Sequence, residues 1–365
     1  MRMAATHVFG LALAFVAAGG AASAVAQGVP GLENKGRWMT KAAVPTERTE
    51  VSVADLDGKL YLIGGYVLGS VTSNLLQSYD PKSDKWTDHA NMPIGVNHVN
   101  VVGHKGKIYA FGGFIKQNQH PIANSYAYDV ATNRWQEIAP LPFARAASSV
   151  VVLGDKIHVI GGAVGGEGGA GIGGGAAKGA PKGPQAPPAL MPVDHVPPPP
   201  AKGLRTSITD HAVYDPETNT WSQAAPLPVR RDHIATVVYD GKIHAIGGRI
   251  ENFFQNNTIH HVYDPKTDAW SERARQPTPR SGASAAVLDG LILVVGGEGS
   301  SERGVYGENE AYDPKTDSWR ILAPMSVPRH GTGAAVIDGV FYMPGGATGR
   351  GGGPRVATNE GFTFR

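Results

Sequence analysis

The stretch Asp240–Trp270, DGKIHAIGGRIENFFQNNTIHHVYDPKTDAW, sets the pattern that the rest of the chain repeats. A turn at Asp240-Gly241 leads into an apolar run that ends at Gly247-Gly248; a loop follows, then Tyr263-Asp264-Pro265 and Trp270. Asp-Gly suits the positive φ of a tight hairpin, so the runs on either side of it read as two antiparallel strands, A and B. Strand C ends at the Tyr-Asp-Pro, and strand D begins near the Trp. The Gly pair recurs at Gly64-Gly65, Gly112-Gly113, Gly161-Gly162, Gly296-Gly297 and Gly345-Gly346, about every 49 residues outside one insertion. From Trp38, Trp86, Trp135, Trp221, Trp270 and Trp319 the next Gly pair always lies 26 residues on. From Tyr79, Tyr128, Tyr214, Tyr263 and Tyr312 the next Trp always lies 7 residues on. All variation in length therefore falls between the Gly pair and the Tyr. A fixed frame with one variable loop per unit describes a scaffold that presents loops.

With GKIxxxGG followed by YDPxTxxW in linked copies, the chain after residue 36 resembles the kelch-repeat family, whose units run to about 50 residues. The resemblance implies an all-β fold, a β-propeller of four-stranded antiparallel blades, and implies no single activity. The two ends of the chain say how such a ring closes. Trp38 keeps the full spacing to its Gly pair but has no strands A to C before it, while Asn359–Phe364 reads as a strand C with no Trp after it. The N-terminal strand is expected to complete the last blade, giving six blades and no open edge. The Trp and Gly residues read as structural.

Residues 1–26 read as an export signal, with Arg2 in a short basic segment, an apolar run from Val8 to Ala18 and the small residues Ala24-Val25-Ala26 before the cleavage point. The expected mature domain is 27–365, periplasmic or secreted, monomeric and without a membrane span once the signal is removed. The chain has no Cys, so neither a disulfide nor a lipid-anchored Cys is expected. With 33 Lys plus Arg against 31 Asp plus Glu and a net charge of +2, it has no field suited to nucleic acid. A Gly- and Pro-rich insertion, 165–203, falls in the B–C loop of the third unit and is expected to be disordered.

In a four-stranded meander, the starts of A and C and the ends of B and D share one face. There, a fixed position in each unit carries Arg48, Val96, Arg145, Arg231, Arg280 and Arg329. Guanidinium groups bind carboxylates, sulfates and phosphates bidentately, so Arg48, Arg145, Arg231, Arg280 and Arg329 are candidate ligand-binding residues, against the alternative that they staple blades together. Arg230 and Arg249, outside that register, and Asp232 and His330, one residue past it, join the candidates. Two residues past the Arg position stand Glu50, His98, Ala147, His233, Gly282 and Gly331; Glu50, His98 and His233 are the candidate acid–base residues. Because those three come from different units with no close-spaced His pair, no metal and no cofactor is expected. His158 and His244 take the place of Tyr61 and Tyr109 and read as packed, whereas His260-His261 is placed on the loop face. Loop aromatics Tyr66, Phe114, Phe253, Phe254 and Tyr306 suit stacking on a sugar.

Two functions follow from this reading. The first is a binding scaffold whose Arg-bearing face holds a protein partner's segment or an acidic sugar, with no catalysis. The second, implied by resemblance to exported kelch propellers that act as sialic-acid mutarotases, is a sugar-directed isomerase or lyase using Glu50, His98 or His233 with Arg231 or Arg280. Copper oxidation of the galactose-oxidase type is excluded, since its cofactor needs a Cys.

Overall fold

Asp57 and Gly58, Asp240 and Gly241, Asp289 and Gly290, and Asp338 and Gly339 all adopt positive φ, from 48° to 79°, so each pair folds strand A directly back onto strand B. In the computed structural model, which describes residues 34–165, 205–300 and 304–365, this hairpin begins a four-stranded antiparallel sheet six times over. Blade 1 uses Ser52–Leu56, Lys59–Ile63, Leu76–Asp80 and Lys85–Asp88 as strands A to D. The A strands of blades 2 to 6 are Asn100–His104, Ser149–Leu153, Ala235–Tyr239, Ser284–Leu288 and Ala335–Ile337. The expected export signal lies outside the described residues, as does the insertion beyond Gly165.

The ring closes as the sequence implies. Arg37–Thr40 pairs antiparallel with Asn359–Thr363, Trp38 opposite Phe362, and supplies strand D of blade 6. Six strands A line a central channel of about 580 Å³, where Ser52, Ser149 and Ser284 bond carbonyls of the next blade through their hydroxyls. Strands B are buried on both sides, as Leu60–Ile63 shows, because each blade is covered by its two neighbours.

An alanine holds each blade boundary at the outer rim. The carbonyls of Ala42, Ala90, Ala139, Ala225, Ala274 and Ala323, each just past a strand D, accept the indole N–H of the next blade's Trp at 2.7–3.1 Å. Five of those alanines also donate their N–H to the C–D turn of that next blade, at Asp84, Asn133, Asn219, Asp268 and Asp317. Each of these turn residues sits at a φ of 47–55°, which Asn and Asp tolerate, and takes the hydroxyl of its blade's conserved-register Tyr as well. The constant 7-residue spacing from Tyr to Trp thus encodes a clamp on the preceding blade.

The Gly pair makes a second contact across each blade boundary. The second glycine donates to the carbonyl at the Arg position of the following blade: Gly65 to Val96, Gly113 to Arg145, Gly162 to Arg231, Gly248 to Arg280, Gly297 to Arg329 and Gly346 to Arg48, at 2.8–3.0 Å. A Cβ on Gly112 would lie 2.4 Å from the Arg145 oxygen, and its φ is 61°, so no side chain fits there.

Candidate functional site

The candidate arginines face inward, each into its own blade. Arg48, Arg145, Arg231, Arg280 and Arg329 are 0–1% exposed. Arg48 donates to the carbonyls of Gly64 and Leu75 and to Gln77; Arg280 donates to the carbonyls of Val294 and Glu308 and to the Glu310 carboxylate. Arg145 pairs with Asp210 and Arg329 with Glu360, while Arg231 meets the carbonyls of Gly247 and Ile259 and His261 Nδ1. Burial pushes Arg231 down to about 9 and Arg48 to about 10, since neither faces a carboxylate directly. The ligand role expected for these five does not fit their placement: they are buried, and their Nη groups staple strands B and C. Blade 2 supports this account, since Val96 has no guanidinium and strand C offers Tyr126, packed in the same apolar cluster, in place of a polar partner.

The six residues two past the Arg position do converge. Glu50, His98, Ala147, His233, Gly282 and Gly331 all adopt a left-handed backbone, with φ of 52–68°. That turn aims four of the N–H groups around the channel: His98 N donates to Glu50 O, Ala147 N to His98 O, His233 N to Ala147 O and Gly282 N to His233 O, at 3.0–3.1 Å. Val51 N takes Gly331 O at 3.1 Å. A belt of main-chain hydrogen bonds, open between Gly282 and Gly331, therefore follows the channel mouth, compensating left-handed strain of order 1–3 kcal/mol at each non-Gly position.

Inside the belt, the ligating atoms of Glu50, His98 and His233 lie within 4.8 Å of one another. His98 Nε2 is 3.1 Å from Glu50 Oε2, and the two imidazole rings meet edge to face at 4.9 Å across the side-chain gap left by Ala147. Asn97 accepts from His98 Nδ1 at 2.6 Å and is itself fixed by the Tyr66 hydroxyl and by the Phe114 and Lys116 carbonyls. Asp232 accepts from His233 Nδ1 at 2.5 Å, from Arg205 at 2.6 Å, from Arg249 Nε at 3.0 Å and from the Ser207 hydroxyl. Arg249 also donates to Glu298 at 2.5 Å and to His233 Nε2 at 3.1 Å. His330 donates from Nε2 to the Gly349 carbonyl at 2.8 Å, and its Nδ1 sits 3.8 Å from Glu50 Oε1 and 3.7 Å from Glu298 Oε2.

This network sets the charges. Burial would raise the Glu50 carboxyl, but His98, His330 and His233 around it overcome that and hold it below the ordinary range. Asp232 is held well below its ordinary value by Arg205, His233 and Arg249 despite complete burial. Burial, with Arg249 alongside, pushes His233 down to about 4, so it is a neutral acceptor at Nε2. Glu50, His98 and His233 also line a cavity of about 130 Å³ at the top of the channel, below the roughly 300–1,000 Å³ of typical small-molecule pockets.

Of the sequence candidates, the fold gathers Glu50, His98, His233, Asp232, Arg249 and His330; Arg230 stays outside, exposed and paired with Glu251 at 2.9 Å. Sequence reasoning missed Glu298, Arg205 and Asn97. Two of these were signalled: Glu298 stands where Arg249 stands, directly after a Gly pair, and Asn97 occupies the register of Asp232 and His330. The loop aromatics are corrected in part, because Tyr66, Phe114 and Tyr306 are buried and only Phe254, 74% exposed, presents a face of the four whose side chains are described. His260 and His261 are also buried. Among the described residues no helix is long and apolar enough to cross a membrane.

A closed ring of six four-stranded blades, stapled by buried arginines around a belted channel, defines a six-bladed β-propeller. The chain belongs to the kelch-repeat family: the KLHDC2/KLHL20/DRC7 Kelch-repeats domain matches residues 34–162 and 202–346, and a Kelch motif matches 144–228. Propellers of this family commonly bind proteins. The chain is similar to Kelch-like protein 35 of Mus musculus, 25% identical over 215 residues, which are 59% of this chain and 21% of that protein. It is equally similar to Kelch-like protein 36 of Rattus norvegicus, 25% identical over 212 residues, 58% of this chain and 29% of that one. It therefore spans less than a third of the length of either relative. Among solved structures, one titled "Structure of YjhT" superposes with a TM-score of 0.67 at 16% identity, covering 87% of this chain and 95% of that one, and shares the fold.

Proposed function

We propose that this propeller is an exported binding scaffold that holds a protein segment across the face bearing its B–C loops. One observation carries the reading. Of the four large hydrophobic residues found strongly exposed among the described residues, three stand on B–C loops: Leu68 at 81%, Val71 at 59% and Phe254 at 74%. Leu68 and Val71 belong to blade 1 and Phe254 to blade 4, so they flank the mouth from opposite sides of the ring. Exposed apolar groups on a rigid rim are what a partner segment uses as anchors. An acidic sugar fits less well, because the arginines that would attract it are internal. The residue 1–26 pattern supports export.

Panning a phage-displayed random peptide library on the chain tests this. Enriched peptides should lose binding to Leu68→Asp and Phe254→Asp while binding Lys59→Glu, at the opposite end of blade 1, as they bind the wild type. Peptides indifferent to both loop variants would refute the proposal.

The second reading, a sugar-directed isomerase, is favoured only by the pairing of Glu50 with His98 at 3.1 Å beside Arg249. A cavity of about 130 Å³ leaves it little room. Turnover of an acidic sugar that Glu50→Gln abolishes, with the melting temperature unchanged, would favour it over the scaffold.

A further inference from the structure

We propose that Glu50, His98 and His233 form a binding site for one divalent transition-metal ion of the zinc class at the loop-side mouth of the channel, with an open coordination position toward the adjoining cavity. The argument starts from the tautomers. Each histidine of the cluster has its outer nitrogen committed as a donor: His98 Nδ1 to Asn97, His233 Nδ1 to Asp232 and His330 Nε2 to Gly349 O. The inner nitrogens are left to point at one another and at carboxylates. Outer N–H groups bonded to a carboxylate, amide or carbonyl are the usual support of metal-ligating histidines, since they fix the ring and make the inner nitrogen more basic.

His98 Nε2 then faces the Glu50 carboxylate at 3.1 Å, and a nitrogen and a carboxylate oxygen at that distance need a positive charge between them. A proton serves one such pair. Here a third donor, His233, lies within 4.8 Å of both, and His330 Nδ1, fully buried and with no hydrogen-bond partner, is aimed at Glu50 and Glu298. Three carboxylates, Glu50, Asp232 and Glu298, stand around the cluster with the guanidiniums of Arg205 and Arg249.

Imidazole plus carboxylate is a donor set that suits zinc and its neighbours. Tetrahedral zinc places its donors about 3.3 Å apart, so His233 would close on the other two by rotation of its side chain. Arg249 competes for His233 Nε2, but it keeps Asp232 through Nε and Glu298 through Nη1 if Nη2 withdraws. Three protein ligands leave a fourth position, the arrangement of exchangeable sites rather than closed structural ones. That position faces the cavity of about 130 Å³, large enough for water or a small anion.

The test uses the chain stripped with a chelator, incubated with an equimolar zinc salt, desalted and assayed for metal. One zinc per chain is expected, and cobalt(II) in its place should give visible absorption of tetrahedral intensity. His98→Asn and His233→Asn are the informative variants, because Asn tolerates the left-handed backbone both positions require. Losing a ligand's supporting partner costs about 10–100-fold in affinity, so losing the ligand should weaken zinc binding at least about 100-fold. Failure of the wild-type chain to retain zinc and to show the cobalt spectrum would overturn the proposal, as would zinc retention by both variants. The cobalt spectrum is read on the wild type, so a variant that fails to fold does not decide the question.

Discussion

Acidification should weaken the ring before any carboxylate titrates, through two histidine pairs buried between blades. In blade 4, His244 Nδ1 donates to His260 Nε2 at 2.9 Å and His260 Nδ1 donates to the Ala274 carbonyl at 3.3 Å; in blade 3, His158, His211 and the Ala225 carbonyl repeat the chain. All four rings are buried, and burial holds His244 and His211 at about 4 and their partners at about 3, against an ordinary 6.5. Above pH 6.5 both folded and unfolded chains are neutral at these sites. Below it the unfolded chain takes protons that the folded chain refuses until about pH 4, so stability falls through that window and then levels off. Unfolded, both histidines of a pair are free to take a proton, while the folded pair takes none in this window, so each pair counts for two protons and about 2.7 kcal/mol per pH unit.

The structure supplies its own control. Blade 5 fills the same two positions with Leu293 and Asn309, and Asn309 keeps the bond to its alanine, Ala323, at 3.3 Å. His244→Leu with His260→Asn copies that solution into blade 4. Urea unfolding at pH 6.5 and at pH 5.0 should show the double variant losing about 3 kcal/mol less than the wild type over that interval. Equal losses in the two proteins would show that these histidines are not what senses acid, and the reasoning from their burial would fail.

Arg280→Ala should cost about 3–5 kcal/mol, because it strands the buried Glu310 carboxylate, and should leave peptide binding by the folded fraction intact; denaturant midpoints beside peptide titrations check both halves. Trp270→Phe removes one indole N–H from the Ala225 carbonyl, which keeps its bond from His211, and should cost about 1 kcal/mol by the same measurement. Deleting residues 36–44 removes strand D of blade 6 together with Trp38, and calorimetry should show the melting temperature of the whole ring falling in one transition, where a separate low-temperature shoulder would contradict cooperative closure.

Most of the frame was legible because repetition multiplies weak signals. One Asp-Gly or one Gly pair says little, but six in constant register fix strands, turns and closure together. The candidate site was half legible for the same reason. Glu50, His98 and His233 stood out as chemistry in a column that otherwise holds Ala and Gly, yet they look unrelated along the chain because only the curvature of the ring brings them together. The arginines failed the other way. Register gives a residue's height on its blade, not its direction, and direction was set by partners on or just before strand C, such as Gln77, Asp210, Glu310 and Glu360. Val96, apolar where the other five blades carry Arg, with Tyr126 in the place of Gln77, Glu310 and Glu360, was the readable clue that this column points inward.

The belt at the channel mouth is made of main-chain atoms, so the side chains it carries are free of any duty to the ring. Positions 50, 98, 147, 233, 282 and 331 therefore form a six-place register in which chemistry can be written and rewritten while the scaffold stays constant. The only grammar is conformational: each place accepts residues at ease in a left-handed backbone, chiefly Gly, Asn, Asp and His. Ala147 and the two glycines are blanks in that register, and a His or Asp placed at 147 would enter directly between His98 and His233. New activities in such a ring need no new fold, only a few substitutions around one hoop.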